Sequence, residues 1–148
     1  MEKFDVLQRS PLFHTLSASE VELAAEMSRP RKFAAGEAIF EQGDLGDAIF
    51  VIADGEVEVL CKNDDGELRA LETFGPPQFF GEMSLIDKAE RSATVRAKTD
   101  CVLLELTAEN FAAFRKHYRD GFTFVVMNIA RALSARLRET NARLTVRL

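Results

Sequence analysis

The pattern of apolar and polar positions divides the chain into three stretches of different period. In residues 1–30, Phe4, Val6, Leu7 and Phe13 are apolar, with Pro11 interrupting. Ser17-Ala18-Ser19-Glu20 then precedes Val21, Leu23, Ala24, Ala25 and Met27. This spacing predicts a helical lead-in. Ser17 with Glu20 three positions later predicts a capping box, in which each side chain satisfies a free backbone N–H of the other residue. Arg29-Pro30 ends the helix, because proline lacks a donor and pushes the preceding residue out of helical dihedrals.

From about residue 31 the period falls to two, and glycines punctuate it at 36, 43, 46, 55, 66, 75 and 81. Ala48-Ile49-Phe50-Val51-Ile52 is a strongly β-forming run. Val57, Val59 and Cys61 alternate with Glu56, Glu58 and Leu60, which predicts one face in and one face out. Asn63-Asp64-Asp65-Gly66 predicts a hairpin turn. Ala93, Val95 and Ala97 alternate with Thr94, Arg96 and Lys98, and Cys101 to Leu106 is a further apolar run. Many short strands separated by turn signals predict a sandwich, roll or barrel over residues 31–106.

After Leu106 the period is helical again. Thr107-Ala108-Glu109-Asn110 is a helix start, followed by Phe111, Phe114 and Tyr118, with Gly121 as punctuation. From Phe122 to about Arg147 there is neither proline nor glycine, which predicts a helix on the order of 35–40 Å long. Phe122, Val126, Ile129, Leu133, Leu137 and Leu144 form its apolar stripe. The stripe can pack on the chain's own domain or on a second copy. A single domain rarely covers so long a helix, so a homodimer interface is expected.

Composition narrows the function classes. The 148 residues are 47% hydrophobic and 29% charged, the balance of a globular domain large enough to need no disulfide or metal for folding. No apolar run reaches membrane-span length, and Met1-Glu2-Lys3-Phe4-Asp5 lacks the apolar core of a signal peptide. The expectation is a cytoplasmic protein without membrane contact. The 19 basic and 24 acidic residues give a net charge of −5, which argues against direct DNA binding through a basic stripe and leaves room for a focused anion site. Cys61 and Cys101 are too few for an iron–sulfur or four-cysteine zinc site, and read as reduced thiols in strands. His14 and His117 each stand alone, outside the strand region. Neither catalytic residues nor a metal site is expected.

One stretch carries chemistry: Phe80, Gly81, Glu82, Met83, Ser84 and Leu85, then Arg91, Ser92, Ala93, Thr94 and Val95. Gly81 allows a close backbone approach or a positive φ. Glu82 to Leu85 can form one helical turn whose free N–H groups favour an anion. Arg91 adds a fork of donors matched to phosphate oxygens, and Ser92 a hydroxyl. Glu82 would repel a phosphate, but suits a neutral hydroxyl such as a sugar 2′-OH. Together these residues read as a phosphate-plus-ribose site.

Phe80-Gly81-Glu82-x-Ser84-Leu85, five further residues, and Arg91-Ser92-Ala93-x-Val95-x-Ala97 closely resemble the phosphate-binding cassette of the cyclic nucleotide-binding domains. Gly43-Asp44-Leu45-Gly46-Asp47-Ala48-Ile49-Phe50-Val51-Ile52-Ala53-Asp54-Gly55 is similar to that family's glycine-punctuated strand pair. The resemblance implies an α+β fold: an antiparallel β-roll of about eight strands, of jelly-roll type, flanked by N-terminal helices and a long C-terminal helix. Residues 1–148 would be a single domain, with a lead-in at about 1–30, a roll at 31–106 holding the cassette at 80–93, and C-terminal helices at 107–148.

By the same resemblance Arg91 holds the cyclic phosphate, Glu82 the ribose 2′-OH, Gly81 gives backbone room, and Ser92 touches phosphate or base. Glu90 stands where eukaryotic members commonly carry proline, which points away from the kinase subfamily. The last helix resembles the dimer helix of the catabolite activator proteins, and Thr140-Asn141 matches the polar pair that meets adenine there. The implied protein is a cyclic nucleotide sensor, for cyclic AMP before cyclic GMP. It has no cofactor, signals through its last helix, and has its output in another molecule or in the dimer itself. A ligand-free interaction module on the same fold, and a cupin-like metalloenzyme, are the alternatives.

Overall fold

The computed structural model describes residues 2–87 and 90–147, without the side chains of Ser84, Asp87 and residues 143–147. Its elements are helix α1 (Lys3–Arg9), a 3-10 turn (Pro11–Phe13), α2 (Ala18–Met27), strands β1 (Arg29–Phe33), β2 (Ala38–Phe40), β3 (Ala48–Asp54), β4 (Val57–Lys62), β5 (Leu68–Phe74) and β6 (Phe79–Phe80), helix α3 (Met83–Asp87), strands β7 (Thr94–Ala97) and β8 (Cys101–Thr107), and helices α4 (Ala108–His117) and α5 (Arg119–Arg147). The strands form two antiparallel four-stranded sheets, ordered β1-β8-β3-β6 and β2-β7-β4-β5. This is the expected roll between helices.

Local signals account for most boundaries. The Ser17 N–H donates to Glu20 Oε1 at 2.8 Å, and the Glu20 N–H to Ser17 Oγ at 3.3 Å. Thr107 and Asn110 form a second such box at the start of α4. Helix α2 stops at Met27, and strand begins at Arg29, two residues earlier than the alternation suggested. Pro30 therefore lies within β1. Its missing N–H is tolerated because β1 is an edge strand. At the β4–β5 hairpin, Asn63 Oδ1 accepts from the N–H groups of Asp65 and Glu67.

β3 explains how the two halves cohere. Ile49 and Val51 face a core made with Leu7, Leu12, Phe13, Phe111, Phe114 and Ile129 of the helices. Ala48, Phe50 and Ile52 face the roll interior with Phe80, Val95 and Leu103. A strand covered on both faces reads as an unbroken apolar run. In β4, Val57 is buried as predicted, but Val59 and Cys61 are only half-buried and Leu60 is buried. The neighbouring strand β5 carries a bulge: Val59 pairs with Glu72 and Leu60 with Ala70, so Leu71 is an extra residue there.

Two expectations for the last helix need correction. Gly121 does not break it but lies in its first turn, where a Cβ would meet the flexible end of the Glu20 side chain. The predicted stripe also divides between two faces. Ile129, together with Val125, is buried against the helical core, whereas Val126 and Leu137 are exposed, Leu137 at 62%. The Leu144 side chain lies outside the described residues. Buried Asn128 pins the helix, its Nδ2 donating to the carbonyls of Leu12 and His14 at 3.0 and 2.8 Å. Among the described residues no helix is long and apolar enough to cross a membrane.

Candidate anion and ribose site

β6 delivers Phe80 to the roll interior and Phe79 to the helical core, and is followed by Gly81, whose φ is +86°. A Cβ there would stand 2.9 Å from Arg91 Nη1 and 3.0 Å from the Ala48 carbonyl oxygen. Both the dihedral and the space therefore demand glycine. The Gly81 carbonyl accepts from Arg91 Nη1 at 3.0 Å, and the Ala48 carbonyl accepts from Arg91 Nη2 at 2.9 Å. The Arg91 backbone is clamped as well. Its N–H donates to the Asp44 carbonyl at 2.7 Å, and its carbonyl accepts from the Gly43 N–H at 2.9 Å. The two motifs read from the sequence are thus laced together by main-chain bonds.

Arg91 is only 8% exposed, and its guanidinium carbon sits 3.9 Å from the centroid of the Phe40 ring. Burial pulls its pKa down, opposed by the nearby carboxylates of Asp47, Glu82 and Asp44. Its Nε is buried without a hydrogen-bond partner. An unsatisfied charged donor is costly, so the arrangement suits an anion that completes the guanidinium's bonding.

Glu82 follows at the start of α3 and is 5% exposed. Its Oε1 accepts from Arg136 Nη1 at 2.9 Å, and Arg136 Nη2 donates to the Phe79 carbonyl at 2.6 Å. The Arg136 guanidinium also lies over the rings of Phe74 and Phe79, at 4.6 and 5.4 Å from their centroids. Arg136 belongs to α5, so the candidate ribose acceptor is tied directly to the last helix.

Phe80, Gly81, Glu82, Met83, Arg91, Ser92 and Ala93 all line one cavity of about 200 Å³, joined by Phe40, Val59, Leu71, Glu72, Phe74, Glu90, Val95 and Arg136. Seven predicted site residues are therefore brought together. The Ser84 side chain lies outside the described residues. Thr140 and Asn141 are exposed on α5, one turn beyond Arg136 and outside that lining, and Thr140 Oγ1 donates to the Arg136 carbonyl. Sequence reasoning missed Arg136, Phe40 and Glu72. The Arg136–Glu82 contact spans 54 residues, and no local pattern marks it. Phe40 could have been suspected from its place in a short strand before the first glycine motif.

The comparisons agree with this geometry. The cyclic nucleotide-binding domain family matches residues 30–118, more than half of the chain. The chain belongs to that family. It is 40% identical over 138 residues to the cyclic AMP receptor protein of Thermus thermophilus, covering 93% of this chain and 62% of that one. A crystal structure of the Thermus thermophilus catabolite activator protein superposes with a TM-score of 0.79 over 92% of this chain and 62% of that chain, also at 40% identity. The regulatory domain of Toxoplasma gondii PKA with cAMP superposes with a TM-score of 0.71 at 29% identity, over 76% of this chain and 43% of that one. The chain thus spans less than two thirds of these relatives.

Proposed function

We propose that residues 1–148 act as one sensor domain that binds cyclic AMP before cyclic GMP in this cavity and signals through α5. In this reading Arg91 and the N–H groups beside it hold the cyclic phosphate, with Ser92 adjoining. Gly81 gives the ligand backbone room, and the 2′-OH donates to Glu82. The observation that carries the reading is the Arg136–Glu82 bond. A ribose hydroxyl bonding Glu82 changes the surroundings of a side chain rooted in α5, and so weights one helix arrangement over another. A ligand without that difference would switch nothing. The named relatives are a cyclic AMP receptor and a kinase regulatory domain with cAMP, which favours adenine.

The same reading covers the exposed face of α5. Val126, Met127 and Leu137 would pack on the same helix of a second copy, and Thr140 and Asn141 would then approach the neighbour's base. The protein works by binding, in the cytoplasm, without a catalytic step or a metal, and without touching DNA itself. Calorimetric titration with cyclic AMP, cyclic GMP and cyclic di-GMP tests this. Arg91→Ala is expected to weaken cyclic AMP binding by about 2–4 kcal/mol, the cost of truncating a buried charged partner. An unchanged dissociation constant would remove Arg91 from the site.

A further inference from the structure

The anion end of the cavity holds little positive charge to spare. Among the described residues, the guanidiniums of Arg91 and Arg136 and the carboxylates of Glu72, Glu82 and Glu90 line it. Glu82 is paired with Arg136 at 2.9 Å, and Glu72 has a partner of its own. Glu90, next to Arg91 in the chain, is exposed and enters no salt bridge among the described residues. Its backbone is held by a bridge to Leu45, and the N–H of the next residue donates to the Asp44 carbonyl at 2.7 Å. The same loop carries Asp44 and Asp47, both exposed. Like Glu82, both lie close enough to Arg91 to favour its charge. One buried guanidinium is thus fenced by carboxylates, with Glu90 on the cavity wall and Asp44 and Asp47 on the adjoining loop.

We infer that Glu90 is a charge filter at the phosphate position, which admits a cyclic phosphodiester and rejects a phosphate monoester. The inference rests on the cyclic nucleotide reading above and adds which phosphates the site refuses. The buried Nε of Arg91 lacks a partner, so the site calls for an anion, but a single guanidinium balances a single negative charge. A cyclic phosphodiester carries one. A phosphate monoester carries about 1.5 to 2 at neutral pH, because its second pKa is about 6. The added charge faces Glu90 rather than a second cation. In partly solvated surroundings a like charge at such close range costs about three- to tenfold in affinity. Hydrolysis of a cyclic nucleotide adds water across one P–O bond. The phosphorus gains the hydroxyl oxygen, the freed sugar oxygen takes a proton, and the phosphate becomes a monoester. The filter therefore releases the hydrolysed ligand, although its base and ribose still fit. A reaction that opens the phosphodiester ring ends occupancy without any other change in the nucleotide.

The test is competition against a fluorescent cyclic AMP analogue, on the parent and on Glu90→Gln, with cyclic AMP, 5′-AMP and the methyl ester of 5′-AMP. The ester has an open phosphate with a single charge, so it separates charge from ring closure. The parent is expected to bind the ester several-fold more tightly than 5′-AMP. In Glu90→Gln, 5′-AMP is expected to gain about three- to tenfold on both singly charged ligands. That gain should shrink at high salt, since the screening length falls to about 3 Å at 1 M. A thermal melt shows whether the variant folds. If it does not, the comparison of 5′-AMP with its ester in the parent still decides. A folded variant in which 5′-AMP gains nothing on the other two, or a parent that binds 5′-AMP as tightly as its ester, would overturn the role of Glu90 alone. No binding of any cyclic nucleotide to the parent would overturn the underlying reading together with it.

Discussion

Arg136→Ala is the perturbation that separates a structural tie from an incidental surface contact. The ion pair it removes is 2.9 Å long, with the Arg136 side chain 23% exposed and the Glu82 side chain 6%. Removing one partner of a fully buried pair costs about 3–5 kcal/mol, because the other charge is left without compensation. Here water reaches Glu82 through the space that Arg136 vacates, so the charge is resolvated in part and the loss shrinks to about 2 kcal/mol. The bond to the Phe79 carbonyl adds roughly 1 kcal/mol, and the two ring contacts about 0.5 kcal/mol each. The total is about 4 kcal/mol. For a chain of this size each kcal/mol moves the melting midpoint by about 2–4 °C, so a fall of about 8–16 °C is expected. The assay is a thermal melt without ligand, paired with hydrogen exchange along α5 in the presence and absence of cyclic AMP. The parent should show a ligand-dependent change in the half of α5 around Arg136, and the variant should lose it. A midpoint within 1 °C of the parent, with the ligand response of α5 intact, would refute the tie.

Two further outcomes follow from the same site. Glu82→Ala should erode the discrimination between cyclic AMP and its 2′-deoxy analogue, measured by competition; equal discrimination in variant and parent would count against Glu82 as the ribose acceptor. Leu137→Glu, which places a charge on the exposed face of α5, should raise the dimer dissociation constant by at least tenfold in sedimentation equilibrium. A parent that stays monomeric at high concentration would end the dimer reading outright.

How much was legible in the sequence depended on how far apart the cooperating residues lie. The capping box at Ser17–Glu20 and the helix start at Thr107 were readable because the residues that make each sit within one turn. The cassette residues were readable because Gly81 and Arg91 are ten residues apart and meet through one local chain reversal. Gly121 misled because glycine often punctuates a helix, whereas here it sits within the first turn of one. The stripe on α5 was read as one face, since its spacing cannot tell which turns meet α4 and the 3-10 turn and which pass beyond them. Arg136 stayed hidden because an arginine on a polar helix looks solvated until the chain folds it back over Phe74 and Phe79. Glu72 stayed hidden because a bulge one residue away sets its direction, and a bulge leaves no mark in composition.

The strand β3 has a thermodynamic consequence beyond packing. Its odd and even side chains belong to different cores, Ile49 and Val51 to the helices, Phe50 and Ile52 to the roll. Neither core can open without stripping one face of a strand that the other still needs, so local opening of one half is penalised by the whole. The two halves therefore melt as a single cooperative unit. A ligand that touches only the roll stabilises the helices by the same free energy, because mass action credits binding to the entire native state. A probe placed on α1 or α4, far from the cavity, reports nucleotide occupancy as faithfully as one placed inside it.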